Sequence, residues 1–249
     1  MRSFLSAIAI VALCATPAAA QTPPPTRAFA NINFGYQGQS QDFTQSGQFS
    51  FQDETGTFDA SHDFGGGGFF EIGGGYEIFR NFSIGASYAQ RSKSSRDVTI
   101  NALVPHPHFF DTFIEASGTV TDLEHGERAI HLQAMWHIPL TVEFDVTLFA
   151  GPSFFTVEED LIESVTPTEV GVDPPQYNLD ATTVSTQKES TVGINIGLDT
   201  RYMFTRNIGL GAMLRFTRGS VTLTSPSGSD DIKSDAGGFE IAGGVRFRF

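Results

Sequence analysis

Six histidines are the residues best able to exchange protons near neutral pH, and they include two closely spaced pairs. His131 and His137 fall on one face of an alternating run, with Gln133 between them. A nucleophilic mechanism would need a serine or cysteine beside one imidazole and a carboxylate behind it. No His-x-Ser spacing and no G-x-S-x-G elbow occurs, so the chain is expected to be no enzyme. His106-Pro107-His108 with Asp111 offers two imidazoles and a carboxylate, a donor set that zinc accepts. A lone H-x-H in a polar segment is a weak signal, and no metal site is assigned to it. Gly65–Gly68 lacks the Lys-Ser/Thr of a phosphate loop and reads as a bend or bulge. Glu158, Glu159, Asp160, Glu163, Glu169, Asp173 and Asp180 crowd one segment without forming a D-x-D-x-D-G calcium loop. They read as charges that keep a loop soluble. No cofactor is expected.

The elements that would position these residues have a period of two. Even positions from Val192 to Phe204 read Val, Ile, Ile, Leu, Thr, Tyr, Phe; between them lie Gly193, Asn195, Gly197, Asp199, Arg201 and Met203. The same alternation runs through 28–36, 70–78, 82–88, 130–138, 146–154, 208–216 and 239–249. Successive side chains on a strand point to opposite faces, so each run has one apolar face and one of Gly, amide and charge. That makes eight strands, or ten if the stretch 43–64 hides a further hairpin. Short connections fall at 79–82, 139–145 and 205–207, and long polar loops at about 38–68, 92–127, 156–190 and 218–236. Two hairpins echo each other: Tyr76, Arg80, Asn81, Gly85 and Ala86 match Tyr202, Arg206, Asn207, Gly211 and Ala212.

Composition narrows the class. The 249 residues carry 15 Lys and Arg against 28 Asp and Glu, a net charge of −13, which speaks against a nucleic-acid partner. Phe4–Ala15 is an apolar run behind Arg2, broken by Pro17 and followed by an Ala18-Ala19-Ala20 cleavage pattern. Residues 1–20 therefore read as a secretory signal peptide, and 21–27 as a Pro-rich entry segment. Cys14 falls within the leader, so the mature chain has no cysteine for a disulfide or a metal. Residues 28–249 remain as one domain.

An alternating sheet can bury its apolar face in a soluble sandwich or present it to lipid. The apolar faces here carry Tyr36, Tyr76, Tyr88, Trp136 and Tyr202 near their ends, which suits the interface girdles of a membrane barrel. The polar faces are rich in small residues, which suits a narrow filled lumen. Lipid offers no hydrogen bonds to backbone groups, so a spanning sheet must close on itself. The expected fold is all-β: a single eight-stranded antiparallel up-and-down transmembrane β-barrel. Its lumen would hold Glu71, Glu77, Arg91, Asp199, Arg201, Arg215, Glu240, Arg246 and Arg248 as an interior charge network.

The signal peptide, the Gly75–Ala86 and Thr200–Ala212 hairpins and the closing strand Gly237–Phe249 resemble the small outer-membrane β-barrel proteins of the OmpA, OmpX and OmpW type. The resemblance covers most of 28–249. It implies export to the outer membrane of a Gram-negative-type bacterium, with outer-membrane lipids and lipopolysaccharide as surroundings. It also implies that Ile241, Val245, Phe247 and Phe249 form the signal read by the barrel-assembly machinery. The implied function is a structural or surface-interaction role, with a surface ligand taken through the long loops. The alternatives are a narrow channel or transporter for small hydrophobic or ionic solutes, and a lipid-modifying barrel enzyme.

Overall fold

The computed structural model describes residues 27–38, 41–92, 94–172, 175–227 and 232–249. The expected signal peptide, and the Pro-rich segment up to residue 26, lie outside the described residues. Eleven antiparallel strands are described: β1 (Ala28–Gly38), β2 (Gln41–Phe51), β3 (Glu54–Phe64), β4 (Gly67–Phe79), β5 (Phe82–Arg91), β6 (Ser94–Pro105), β7 (Phe113–Pro139), β8 (Phe144–Val172), β9 (Pro175–Met203), β10 (Ile208–Leu223) and β11 (Ile232–Arg248). They pair in the order β2-β3-β6-β7-β5-β4-β1-β11-β10-β9-β8, and β7 also pairs with β8. That last pairing closes a ring through β7, β5, β4, β1, β11, β10, β9 and β8. Each ring strand contains one of the eight alternating runs.

Two expectations need correction. The hairpin hidden in 43–64 exists as β2–β3, but it does not enlarge the ring to ten; β3 pairs instead with β6, which pairs with the upper part of β7. The long polar loops are mostly strand. β7, β8 and β9 run on far past the ring, and β2, β3 and β6 carry β1, β4 and β5 upward after short breaks. These stretches looked like loops because their outward faces are polar while their inward faces hold scattered apolar residues.

The ring and its extension have opposite polarity, and β10 shows the exchange within one strand. Its inward positions read Met213, Arg215, Thr217, Val221 and Leu223, all buried. Its outward positions change from Leu210, Ala212 and Phe216 to Arg218, Ser220 and Thr222. Below the change, apolar side chains face out: Ile72, Ile84, Leu132, Leu148, Ile196 and Ile241 are all exposed. Above it they face in, and Phe49, Phe58, Val98, Ile100, Val104, Leu123, Ile162, Val165 and Leu179 form a core. There the β2-β3-β6-β7 sheet faces the upper parts of β8 and β9. The extension is thus a two-sheet sandwich standing on the ring. Three register shifts in the β8–β9 ladder, between Ile162/Ser164, Val165/Thr166 and Glu169/Gly171, fall in this upper part, where bulges bend and twist strands.

The outward apolar band is edged by aromatics. Tyr76, Phe79, Trp136, Tyr202, Phe204 and Phe249 are exposed near the short-turn end, and Phe34, Tyr36, Phe70, Tyr88, Phe154, Phe216 and Phe239 at the upper edge. From Phe239 to Phe249 the strand climbs roughly 33 Å at ~3.3 Å per residue, or roughly 25 Å along the axis at a ~40° tilt, the height of a bilayer's apolar layer.

Local chemistry joins the two parts. Gly66, in the break between β3 and β4, sits where a Cβ would lie 2.4 Å from the Gln37 carbonyl oxygen. Gly237, paired with Arg218, takes φ +95°, and its N–H donates to Glu127 at 3.1 Å. The edge of β2 is latched by one side chain. The fully buried Gln45 donates to the Ile162 carbonyl at 2.6 Å and accepts from the Ile162 N–H at 3.0 Å, standing in for a ladder rung. The two echoing hairpins turn differently: Asn81 lies in the left-handed region within a two-residue turn, whereas four residues separate β9 from β10. Their asparagines keep one role. The Asn81 amide donates to the His137 carbonyl at 2.8 Å, and that of Asn207 to the Arg248 carbonyl at 2.7 Å.

Candidate functional site: the charged lumen

Inward positions of the ring gather charge because the outward positions carry the apolar residues. Arg215 of β10 is almost completely buried and lies between two carboxylates, Glu71 of β4 and Glu240 of β11. Its Nε donates to Glu240 at 2.8 Å, and an Nη donates to Glu71. Glu71 also accepts from Asn33 at 2.9 Å and Ser87 at 3.2 Å, and Glu240 from Thr217 at 3.1 Å. Asn33 passes the network on by accepting from Arg246 at 2.6 Å, and Arg246 donates to Asp199 at 3.0 Å. Nearer the short-turn end, Arg201 and Arg248 converge on Asp145 at 2.9 and 3.0 Å. Buried charges are tolerated when each is paired and hydrogen-bonded, and these are.

The nine expected lumen residues divide accordingly. Glu71, Asp199, Arg215, Glu240 and Arg246 form one network, and Arg201 and Arg248 a second. Glu77 is half-buried at the short-turn mouth, where it accepts the Asn81 N–H at 3.4 Å. Arg91 is buried at the upper rim of the ring and donates to the Gly65 carbonyl. Sequence reasoning missed Asp145, which had read as part of a short connection. With it the inward carboxylates Glu71, Glu77, Asp145, Asp199 and Glu240 equal the arginines in number. The alternation Asp145, Thr147, Phe149 carried the signal.

Glu127 and Glu159 had been placed in polar loops; both are buried in strands. Glu159 bonds to His125 at 2.9 Å, and Glu127 to Gln37 at 3.3 Å. Continuing the inward series Ala129, Glu127, His125, Leu123 down the sequence would have found them. Of the acidic residues at 158–180, Asp173 and the side chain of Asp180 lie outside what is described.

The histidines find hydroxyl partners that local spacing could not show, because these come from neighbouring strands. His131 meets Ser153 at 2.7 Å, and His137 meets Ser83 at 2.7 Å and Thr147 at 2.8 Å. Among the described residues no carboxylate hydrogen-bonds to either ring. Ser153 is fully buried and also accepts from Asn195 at 2.9 Å. His106 accepts the His108 N–H at 3.1 Å, and no group of three His, Cys, Asp or Glu among the described residues could hold a metal ion. Beside these histidines, Phe109, Phe110 and Phe113 are exposed, whereas Ile114 packs on the sandwich core. Phe109 and Phe110 lie in the β6–β7 turn and Phe113 opens β7, beyond the core.

Space in the lumen is confined. A cavity of about 290 Å³ opens at the short-turn mouth, lined by Arg27, Glu77, Ser83, His137, Asp145, Arg201 and Arg248 among others. Deeper, beside Asp199 and Arg246, a gap of about 30 Å³ is described. Phe69, Phe149, Met213 and Ala242, with Met135, pack into an apolar plug there.

The expected interface aromatics Tyr36, Tyr76, Tyr88, Trp136 and Tyr202 all lie exposed on the outer wall. Ile241 is exposed on β11 and Phe249 just past its end, with Val245 and Phe247 half-buried beside them. Phe249 closes the seam between β11 and β1, exchanging backbone bonds with Ala28 at 2.8 and 3.3 Å.

OprG of Pseudomonas aeruginosa, an outer membrane protein, shares the fold with a TM-score of 0.50 at 9% identity, over 90% of this chain and 96% of its own. The N-terminal β-barrel domain of OprF from the same organism aligns with a TM-score of 0.43 at 12% identity, over 90% and 98% of the two chains. The outer membrane protease OmpT of Escherichia coli aligns with a TM-score of 0.49 at 11% identity, over 94% and 100%. No curated protein matches the sequence. A family profile described as outer membrane protein beta-barrel domain matches residues 5–247. The chain therefore belongs to the outer membrane protein beta-barrel domain family and resides in the outer membrane.

Proposed function

We propose that the ring is a closed eight-stranded transmembrane barrel that anchors and displays the sandwich above it, in a non-catalytic structural or surface-interaction role. Short turns face the periplasm and the sandwich faces the exterior, the usual disposition of such barrels. Export would use the segment 1–20, and the β11 face of Ile241, Val245, Phe247 and Phe249 would be read by the assembly machinery. The observation that carries the reading is the filled lumen: Arg215 clamped between Glu71 and Glu240, beside the Phe69–Phe149–Met213 plug. Eight-stranded lumens are just wide enough for side chains to fill them.

Planar-bilayer recording on the refolded protein tests this. Silent membranes are expected, and stepwise conductance would favour the narrow-channel alternative. The enzyme alternative predicts altered lipid A or phospholipid profiles on overexpression, reversed by Ser83→Ala or Ser153→Ala. Unchanged profiles are expected.

A further inference from the structure

The distal end of the sandwich is apolar and acidic at once. Between β6 and β7 the turn 106–112 carries Phe109 and Phe110, 63% and 82% exposed, and Phe113 opens β7 at 47%. Exposed aromatics this close together form a patch of the kind that marks an interaction site. Their turn is held by its own bonds. The His106 N–H donates to the Thr112 carbonyl at 2.7 Å, the His108 N–H to the His106 ring at 3.1 Å, and the Thr112 hydroxyl to the Phe110 carbonyl at 3.4 Å. Asp111 lies in the left-handed region at φ 56°, and its N–H donates to Glu54 at 3.2 Å, tying this turn to the β2–β3 turn. The Phe51 and Tyr177 rings, 5.4 Å apart, bring the end of the β8–β9 hairpin alongside. Around the patch Asp53, Asp111 and Glu115 are exposed. The stretches 41–79, 97–127 and 129–187, which supply all three hairpin ends, contain no Lys or Arg. From Ile130, at the upper edge of the apolar band, to Phe113, β7 climbs roughly 55 Å at ~3.3 Å per residue, or roughly 40 Å along the axis at a ~40° tilt. The patch therefore stands clear of the membrane that holds the ring.

We infer that Phe109, Phe110 and Phe113 insert into the headgroup layer of a second, apposed bilayer whose surface lipid is phosphatidylcholine. A turn at the end of a hairpin is convex. A bilayer admits a convex apolar tip without a matching pocket, and a turn already held in shape loses little freedom on entering it. The outermost charge of a choline lipid is its quaternary ammonium. Carboxylates attract that cation, and aromatic faces bind it as well. The same carboxylates repel an anionic bilayer, and no base stands near to offset them. The inference rests on the reading that the ring spans the membrane with the sandwich outside.

The test inserts the full mature chain into nanodiscs, mixes these with phosphatidylcholine vesicles and floats the mixture on a density gradient. Empty nanodiscs set the background. Wild type should rise with phosphatidylcholine vesicles and stay behind with phosphatidylglycerol vesicles. The double variant Phe109→Ser, Phe110→Ser should bind about a hundredfold more weakly, each buried Phe being worth roughly tenfold or more. The triple variant Asp53→Asn, Asp111→Asn, Glu115→Gln should gain binding to phosphatidylglycerol vesicles. Inserted wild type that does not float with phosphatidylcholine would overturn the inference and leave the patch to a protein partner. So would a folded double variant that floats normally, or equal flotation of wild type with the two lipids. Failure to enter nanodiscs at all would sink the membrane reading beneath it, whereas insertion without flotation sinks this inference alone.

Discussion

The ring and the sandwich are built by the same strands under opposite rules. In the ring the interior is Arg215, Glu71, Glu240 and Asp199, and the exterior is Leu210, Ile196 and Ile241. In the sandwich the interior is Phe58, Ile100 and Leu123, and the exterior of β2, β3 and β6 is Ser, Thr, Asn and Gln with few charges. The phase of side-chain alternation never slips between them on β10. Only the solvent changes, from hydrocarbon to water, and the residue types exchange faces in response. A strand pattern therefore reports what surrounds the chain at each height as much as which face is buried.

The comparison breaks most severely at Arg215. Replacing it by Ala leaves Glu71 and Glu240 facing each other without their cation, a loss of about 3–5 kcal/mol for a broken buried pair. Heat-modifiable mobility should be lost at a lower temperature, and Glu240→Gln in the same chain should restore part of it. Opposite outcomes for one substitution sharpen the contrast. Ala212→Arg, midway along the outward band, should cost about 2–4 kcal/mol in folding titrations from urea into lipid vesicles. Thr222→Arg, farther up the same strand and on the same face, should stay within about 0.5 kcal/mol. Equal costs would mean that the band does not end near Phe216.

A pH-dependent effect is expected in the sandwich. Burial against Phe43, with the rings 4.5 Å apart, lowers the His62 pKa to about 4. The unfolded chain binds this proton near 6.5, so the contribution of His62 is complete above that pH and declines as pH falls toward 4. The loss is at most about 3 kcal/mol. Protease protection of β2 and β3 should weaken between pH 7 and 4, and His62→Leu should flatten that dependence while the ring stays intact.

The ring was legible because hydrocarbon demands uninterrupted apolar alternation on one face, as in 192–204 and 239–249. The sandwich was not, because water tolerates Ser, Thr and Asp outside while the inner face mixes Phe58 with Gly56, Ala60 and His62. Lumen charges could be assigned to the interior by parity alone, since Arg215 and Glu240 alternate with exposed Phe and Ile. Their partnerships could not. Asn33 and Glu71 are 38 residues apart and Glu71 and Arg215 are 144 apart, distances that only the register of the closed sheet makes short. The hydroxyls beside His131 and His137 were hidden for the same reason.

β8 and β9 each run 29 residues, from the short-turn end to the tip, paired with each other over nearly their whole length. A pull at the end where β8 meets β9 would run down both strands as backbone tension and pass in shear to β7 and β10, with no linker to stretch. The upper part is in that sense continuous with its footing, so a load on it reaches the ring without crossing a hinge.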